Sequence, residues 1–220
     1  MGLTPSGYPI QMAKGVAHLP ILHEKTLFPK PWNWPPALAP RPIPCQFIEV
    51  NPQRHIWLLG LSGSGKSTLG PLLAAQLHLP FADTDQLITQ SSGRTILDIF
   101  QAEGEEFFRQ LESRVLQEVS THSPSIISCG GGVILAATNR QIMARTGLRV
   151  YLQVPLPILE SRLALATDRP LLPPDQRANL LAQQLAQRGK WYAESEICLD
   201  AQNSTPDEMV QHILAQLPSS

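Results

Sequence analysis

Charge is scarce in this chain of 220 residues. Asp, Glu, Lys and Arg together make up 16% of it, against roughly a quarter in an average soluble domain. Bases and acids also nearly cancel, at 17 and 18. No basic stripe stands out, so the electrostatic footprint of a nucleic-acid binder is missing. Cysteine is rarer still: Cys45, Cys129 and Cys198 are odd in number and far apart, with no C-x-x-C pair. That argues against a disulfide framework or a zinc site and for a reducing compartment, the cytoplasm. No apolar run approaches the ~18 residues of a membrane span, and the N-terminus lacks the basic segment and apolar core of a secretory signal. What the chain does hold is 43% hydrophobic residues, ample for the buried core of one α/β domain with an appendage.

The sequence changes character near residue 54. More than half of the 21 prolines precede it, among them Pro29, Pro31, Pro35, Pro36, Pro40, Pro42 and Pro44. Proline at that density removes backbone donors and blocks helices, so residues 1–54 read as an extended, partly polyproline II arm. Leu27, Phe28, Trp32 and Trp34 lie within it. Two readings stay open: a loose tail, or an arm docked on the domain or on a partner. Residues 55–220 read instead as one α/β unit. Apolar strands at His55–Leu59, Pro80–Ala82, Ser125–Cys129, Leu148–Leu152 and Ile197–Leu199 alternate with helical stretches at Ser67–Leu77, Thr95–Phe100, Glu103–Val119, Ile158–Ala166, Gln176–Gln187 and Thr205–Leu217. In the third of these, Phe108, Leu111, Val115 and Val119 recur at helical spacing. Strands alternating with helices predict a parallel sheet covered on both faces, three layers in all. Pro71 falls inside the first helix and is expected to kink it, at about 3 kcal/mol.

The strongest motif is Gly60-Leu61-Ser62-Gly63-Ser64-Gly65-Lys66-Ser67, a full G-x-x-x-x-G-K-[ST] match between an apolar strand and a helix. Its glycines let backbone N–H groups turn inward around phosphate oxygens, and the helix N-terminus adds partial positive charge. Lys66 is expected to reach the β- and γ-phosphates of ATP, and Ser67 to ligate Mg²⁺. Asp83-Thr84-Asp85 follows the second strand, at the edge where a parallel sheet presents its ligand crevice. One carboxylate can hold Mg²⁺ and the other can take the proton of an attacking hydroxyl; surface acids and helix caps also produce such pairs. Gly130-Gly131-Gly132 closes the third strand and allows close approach to a ligand, or is a plain turn. Arg109 has Glu112 three residues on, either a solvated ion pair or an acid that orients an arginine. Arg169 lies on Pro170-Leu171-Leu172-Pro173-Pro174, a loop or lid, and Arg188 has Tyr192 four residues later.

In their order, these pieces resemble the shikimate kinase family from about residue 55 to 217. The matches are Gly60 to Thr68, Asp83-Thr84-Asp85, the run Phe100-x3-Gly104-Glu105-x2-Phe108-Arg109-x2-Glu112, Gly130-Gly131-Gly132 and Arg169-Pro170-Leu171-Leu172. The resemblance implies a P-loop kinase fold of nucleoside-monophosphate-kinase type, with a five-stranded parallel sheet and a lid, acting as a monomer on a small-molecule acceptor. It implies transfer from ATP to the 3-hydroxyl of shikimate. Asp85, Arg109, Gly130, Gly131, Gly132 and Arg188 would surround shikimate, and Lys66, Asp85 and Arg169 would act in transfer. Gly63, Ser64, Gly65, Lys66, Ser67, Thr68, Arg162, Arg169 and Ser204 would hold ATP, with Ser67 and Asp83 on the metal. Gly189-Lys190-Trp191 departs from the family's Asn-Pro-Leu before the tyrosine. Two rivals remain: a gluconate kinase, which Leu61 to Lys66 also suits, and a paralogue that binds nucleotide without turnover.

Overall fold

The computed structural model describes residues 54–164 and 175–217. Five strands, β1 (His55–Leu59), β2 (Phe81–Asp83), β3 (Ile126–Ser128), β4 (Gly147–Gln153) and β5 (Ile197–Asp200), form one sheet in the order β2-β3-β1-β4-β5. Every pairing is parallel. The central strand β1 has neighbours on both sides and helices on both faces, which is why all five of its residues are buried and why it reads as an unbroken apolar run. Trp57 is fully enclosed there. Gly147 makes room for it, since a Cβ at 147 would stand 2.3 Å from the indole nitrogen.

Six helices connect the strands among the described residues, α1 (Lys66–Leu77), α2 (Thr84–Ser92), α3 (Ile96–Val119), α4 (Ala137–Thr146), α5 (Leu156–Ala164) and α6 (Arg177–Tyr192), and α7 (Pro206–Gln216) follows β5. A 3₁₀ turn, Val133–Leu135, precedes α4. The chain leaves β1, crosses to the edge strand β2, returns to β3 beside β1, and then continues on the other side. Ligand crevices form at the carboxyl ends of strands beside such a reversal.

Three elements differ from the sequence-based expectation: α2, α4 and the end of α6. Pro71 lies inside α1, and the helix continues through it from Lys66 to Leu77. Buried Leu69, Leu73 and Leu77 fasten it to the sheet, and burying three such side chains, at about 1.5–3 kcal/mol each, outweighs the proline. Two helices had no clear signal. α2 is built from poor helix formers and is started by Asp83, whose Oδ1 accepts from the amides of Asp85 and Gln86. α4 is mostly polar and buries only Asn139 and Met143. α6 continues past Gln187 to Tyr192, because Arg188 and Tyr192 are buried in its last turns. The two helices expected on either side of residue 101 are the two parts of α3, which breaks between them at Gly104 with φ 82° and ψ 177°.

Candidate active site

Three strand ends deliver the motifs to one edge of the sheet. After β1 the chain turns through Gly60, Gly63 and Gly65, all at positive φ. At Gly65 nothing lies within 4 Å of where a Cβ would be, so glycine is required there for backbone conformation and not for space. Lys66 is buried at the start of α1. Its Nζ donates to the carbonyls of Gly60 and Leu61, each at 2.9 Å, and to Ser64 Oγ at 3.3 Å. The ammonium is thereby folded back over the glycine loop.

After β2, Asp83 works in two directions. Its Oδ1 caps α2, and its Oδ2 accepts from Ser67 Oγ at 3.0 Å. That contact joins the acid pair to the glycine loop. A hydroxyl and a carboxylate side by side are hard oxygen donors of the kind magnesium takes. No cluster of three His, Cys, Asp or Glu side chains suited to a metal occurs among the described residues, so a magnesium ion at this pair would fill its shell with water and phosphate oxygens.

After β3 comes the triglycine, and each glycine is tied to a different neighbour. The Gly130 amide donates to Thr84 Oγ1 at 2.8 Å. A Cβ at Gly130 would lie 2.6 Å from Asp85 Oδ1 and 2.7 Å from Glu112 Oε1, so two carboxylates converge on that point and only glycine fits between them. The Gly131 carbonyl accepts from Arg188 Nη1 at 3.0 Å and from the Tyr192 hydroxyl at 2.6 Å. Tyr192 is stacked on Tyr151 of β4 with ring centroids 4.9 Å apart, and burial pushes its phenol well above the ordinary value. Gly132 carries the guanidinium of Arg109 against its face, where a Cβ would clash.

Arg109 Nη1 donates to Glu112 Oε2 at 2.8 Å, and its Nη2 donates to Glu105 Oε1 at 3.0 Å. Glu112 is 1% exposed. Burial pushes its carboxyl up to about 7, against the pull of Arg109 and with a push from Asp85. For Arg109 burial acts downward, but Glu112 and Glu105 outweigh it and hold the guanidinium above its ordinary value. Of the six buried side-chain polar atoms without a hydrogen-bond partner among the described residues, Glu112 Oε1 and Arg188 Nε lie beside the triglycine.

The glycine loop, Asp83, Asp85, Gly130 and Gly131 line a cleft of ≈ 640 Å³ whose far wall carries Arg162, Ser204, Pro206 and Met209. Arg162 donates to the Ala201 carbonyl at 3.2 Å, and Ser204 Oγ to the Asp200 carbonyl at 3.3 Å. A second cavity of ≈ 380 Å³ is lined by Arg109, Glu112 and Gly132. The fold thus gathers every candidate residue from Gly63 to Ser204 except Arg169, which lies outside the described residues. The sequence motifs contain Glu105 and Thr84 without giving either a role, and they leave out Pro206 and Met209. Glu105 was open to discovery, since it stands four residues before Arg109 on one helix face. Thr84 was not, because its partner Gly130 is 46 positions away.

The shikimate kinase family model matches residues 62–218. The chain belongs to this family. A shikimate kinase of Microcystis aeruginosa is 42% identical over 165 residues, covering 74% of this chain and 86% of that protein. One of a Nostoc species is 38% identical over 167 residues, covering 75% and 91%. The solved structure of shikimate kinase from Acinetobacter baumannii in complex with shikimate superposes with TM-score 0.71 at 33% identity, over 76% of this chain and 93% of that one. A gluconokinase from Sinorhizobium meliloti is also similar, with TM-score 0.50 and 21% identity, a likeness of fold alone. The five-stranded parallel sheet is that of the shikimate kinases, and the nucleotide-binding loop and acid pair of this member stand at its crevice.

Proposed function

We propose that the protein transfers the γ-phosphate of ATP to the 3-hydroxyl of shikimate, yielding shikimate 3-phosphate and ADP. The observation that carries this reading is the convergence of Asp85, Glu112 and Arg109 on the triglycine, one strand away from the phosphate loop. Such a site offers a carboxylate for a hydroxyl and a guanidinium for an acid within a single crevice.

The roles follow from charge and reach. Backbone amides from Gly63 to Thr68 cradle the phosphates, and Lys66 exchanges its loop carbonyls for their oxygens. Arg162 and Ser204 flank the nucleoside across the cleft. Ser67 and Asp83 would hold Mg²⁺, which would offset the negative charge of the phosphates. Asp85 orients the acceptor hydroxyl and takes its proton as the new O–P bond forms and the bond to the β-phosphate oxygen breaks. Arg109 and Arg188 face the acceptor's carboxylate, which must be neutralised beside a triphosphate. The unpartnered Nε of Arg188 is a donor free for that purpose, and the planar fork of arginine suits a carboxylate. Residues 55–220 are then the catalytic domain, preceded by a proline-rich extension at 1–54, and the protein acts as a cytoplasmic monomer.

Coupled ADP release with shikimate, gluconate or no acceptor tests the reading. Shikimate should raise the rate at least tenfold over the other two. Equal rates with and without shikimate, or a preference for gluconate, would refute it.

A further inference from the structure

The stretch Gly189-Lys190-Trp191 lies in the last turn of α6, and the reaction as described makes no use of it. Trp191 is half-buried in the last turn of α6, three residues after Arg188 and one before Tyr192. Its indole is met by Arg140, whose guanidinium carbon lies 4.5 Å from the ring centroid. Lys190 Nζ stands 4.7 Å from the same ring. Arg140 Nη1 also donates to the carbonyls of Ile134 and Leu135, at 2.7 and 2.9 Å. Those carbonyls belong to the 3₁₀ turn that directly follows the triglycine. A guanidinium divides its work in this way because its N–H donors lie in its plane while its face is free for an aromatic ring.

We propose that Arg140 and Trp191 form a positioning pair that sets Arg188 against the triglycine turn and so governs the binding of the anionic acceptor. The end of α6 has two attachments to that turn. Arg188 and Tyr192 hold the Gly131 carbonyl, and Trp191, through Arg140, holds the carbonyls three and four residues further on. The second attachment matters because Gly189 sits inside this last stretch of helix. A Cβ at 189 would meet only Leu185, at 3.8 Å, so no close approach calls for glycine there, and glycine weakens the helix by about 1 kcal/mol against alanine. Local propensity therefore does little to hold the turn that carries Trp191 and Tyr192, and side-chain contacts must do it. Arg188 is buried, with Nε unpartnered. A displacement of α6 would carry that donor away from its target, and a misplacement of about 1 Å is enough to cost heavily in an oriented site. Among the described residues, neither Arg140 nor Trp191 lines the cleft that holds the phosphate loop.

The inference rests on the shikimate kinase reading and is tested on the full chain. KM for shikimate, KM for ATP, kcat and Tm are measured for wild type, Trp191→Ala, Trp191→Phe and Arg140→Lys. A cation over an aromatic face is worth a factor of roughly 3 to 30 in an equilibrium. Trp191→Ala should raise KM for shikimate by that factor, with KM for ATP and kcat within about twofold of wild type. Trp191→Phe keeps an aromatic face and should recover most of the loss. Arg140→Lys keeps the charge but loses the plane, and should raise KM for shikimate in the same direction; it carries the test if Trp191→Ala does not fold. An unchanged KM for shikimate overturns the proposal whatever happens to Tm, and so does an equal rise in both KM values. Wild-type protein without shikimate-dependent turnover would instead refute the parent reading.

Discussion

Lys66 and Glu112 illustrate two kinds of buried charge. Lys66 spends its three donors on two carbonyls and a hydroxyl of its own loop, so its burial is compensated in the free protein and its charge is ready for phosphate. Lys66→Ala should lower kcat by about 10²–10³, the usual worth of an electrostatic stabiliser, while the purified variant keeps a cooperative unfolding transition. Wild-type-like turnover in that variant would contradict the role. Glu112 is less well served, with one oxygen on Arg109 and one without a partner. Its carboxyl is pushed up to about 7 from an ordinary 4.5. The folded state therefore holds this proton more tightly than the unfolded chain does. The stability it contributes is fully present below pH ~4.5 and is lost as pH rises to ~7. Glu112→Gln removes that loss. The stability of the variant relative to wild type, measured by urea unfolding at pH 5 and pH 8, should rise with pH by up to about 3 kcal/mol. A difference independent of pH would mean that Glu112 is ionised throughout.

Helix α3 shows how one backbone position serves the site. Thr95 and Asp98 form a capping box at its start, and Gly104 breaks it at φ 82° and ψ 177°, a region open in practice only to glycine. The break falls one residue before Glu105 and five before Arg109, so it sets the direction from which the ion-paired helix enters the triglycine. Nothing lies within 4 Å of a Cβ at 104; an added methyl meets strain but no clash. Gly104→Ala should therefore cost about 1–3 kcal/mol of stability, read as a lower urea midpoint at unchanged slope. A neutral substitution would show that the break is not needed. Pro71 makes the complementary point. A residue that disrupts an isolated helix is carried by α1 because the helix is fastened to the sheet by buried leucines.

At the scale of the whole chain, the described part of the candidate site draws on residues far apart in sequence. Every residue lining the two cavities lies between Ser62 and Met209, and no helix among the described residues is long and apolar enough to cross a membrane. Removal of residues 1–53 should leave kcat and both KM values within about twofold of the full chain. A large loss of activity in the truncated protein would show the proline-rich segment to be part of the working enzyme.

The phosphate loop, the acid pair, the triglycine and the parallel α/β class were legible from residue order alone. Each is a local pattern: glycines at fixed offsets, or an apolar run long enough for one strand. The strand order and the helices α2 and α4 were not legible, because packing against the sheet decides them over weak or contrary local propensity. The acceptor side depended most on tertiary structure. Arg109 and Glu112 are neighbours on one helix and could be paired on spacing. Asp85, Gly130 and Arg188, far apart in the chain, meet only because β1, β2 and β3 end side by side and α6 returns across them. Which arginine is buried with an idle donor, and which carboxyl holds its proton near neutral pH, depends on desolvation, and desolvation exists only once the chain has folded.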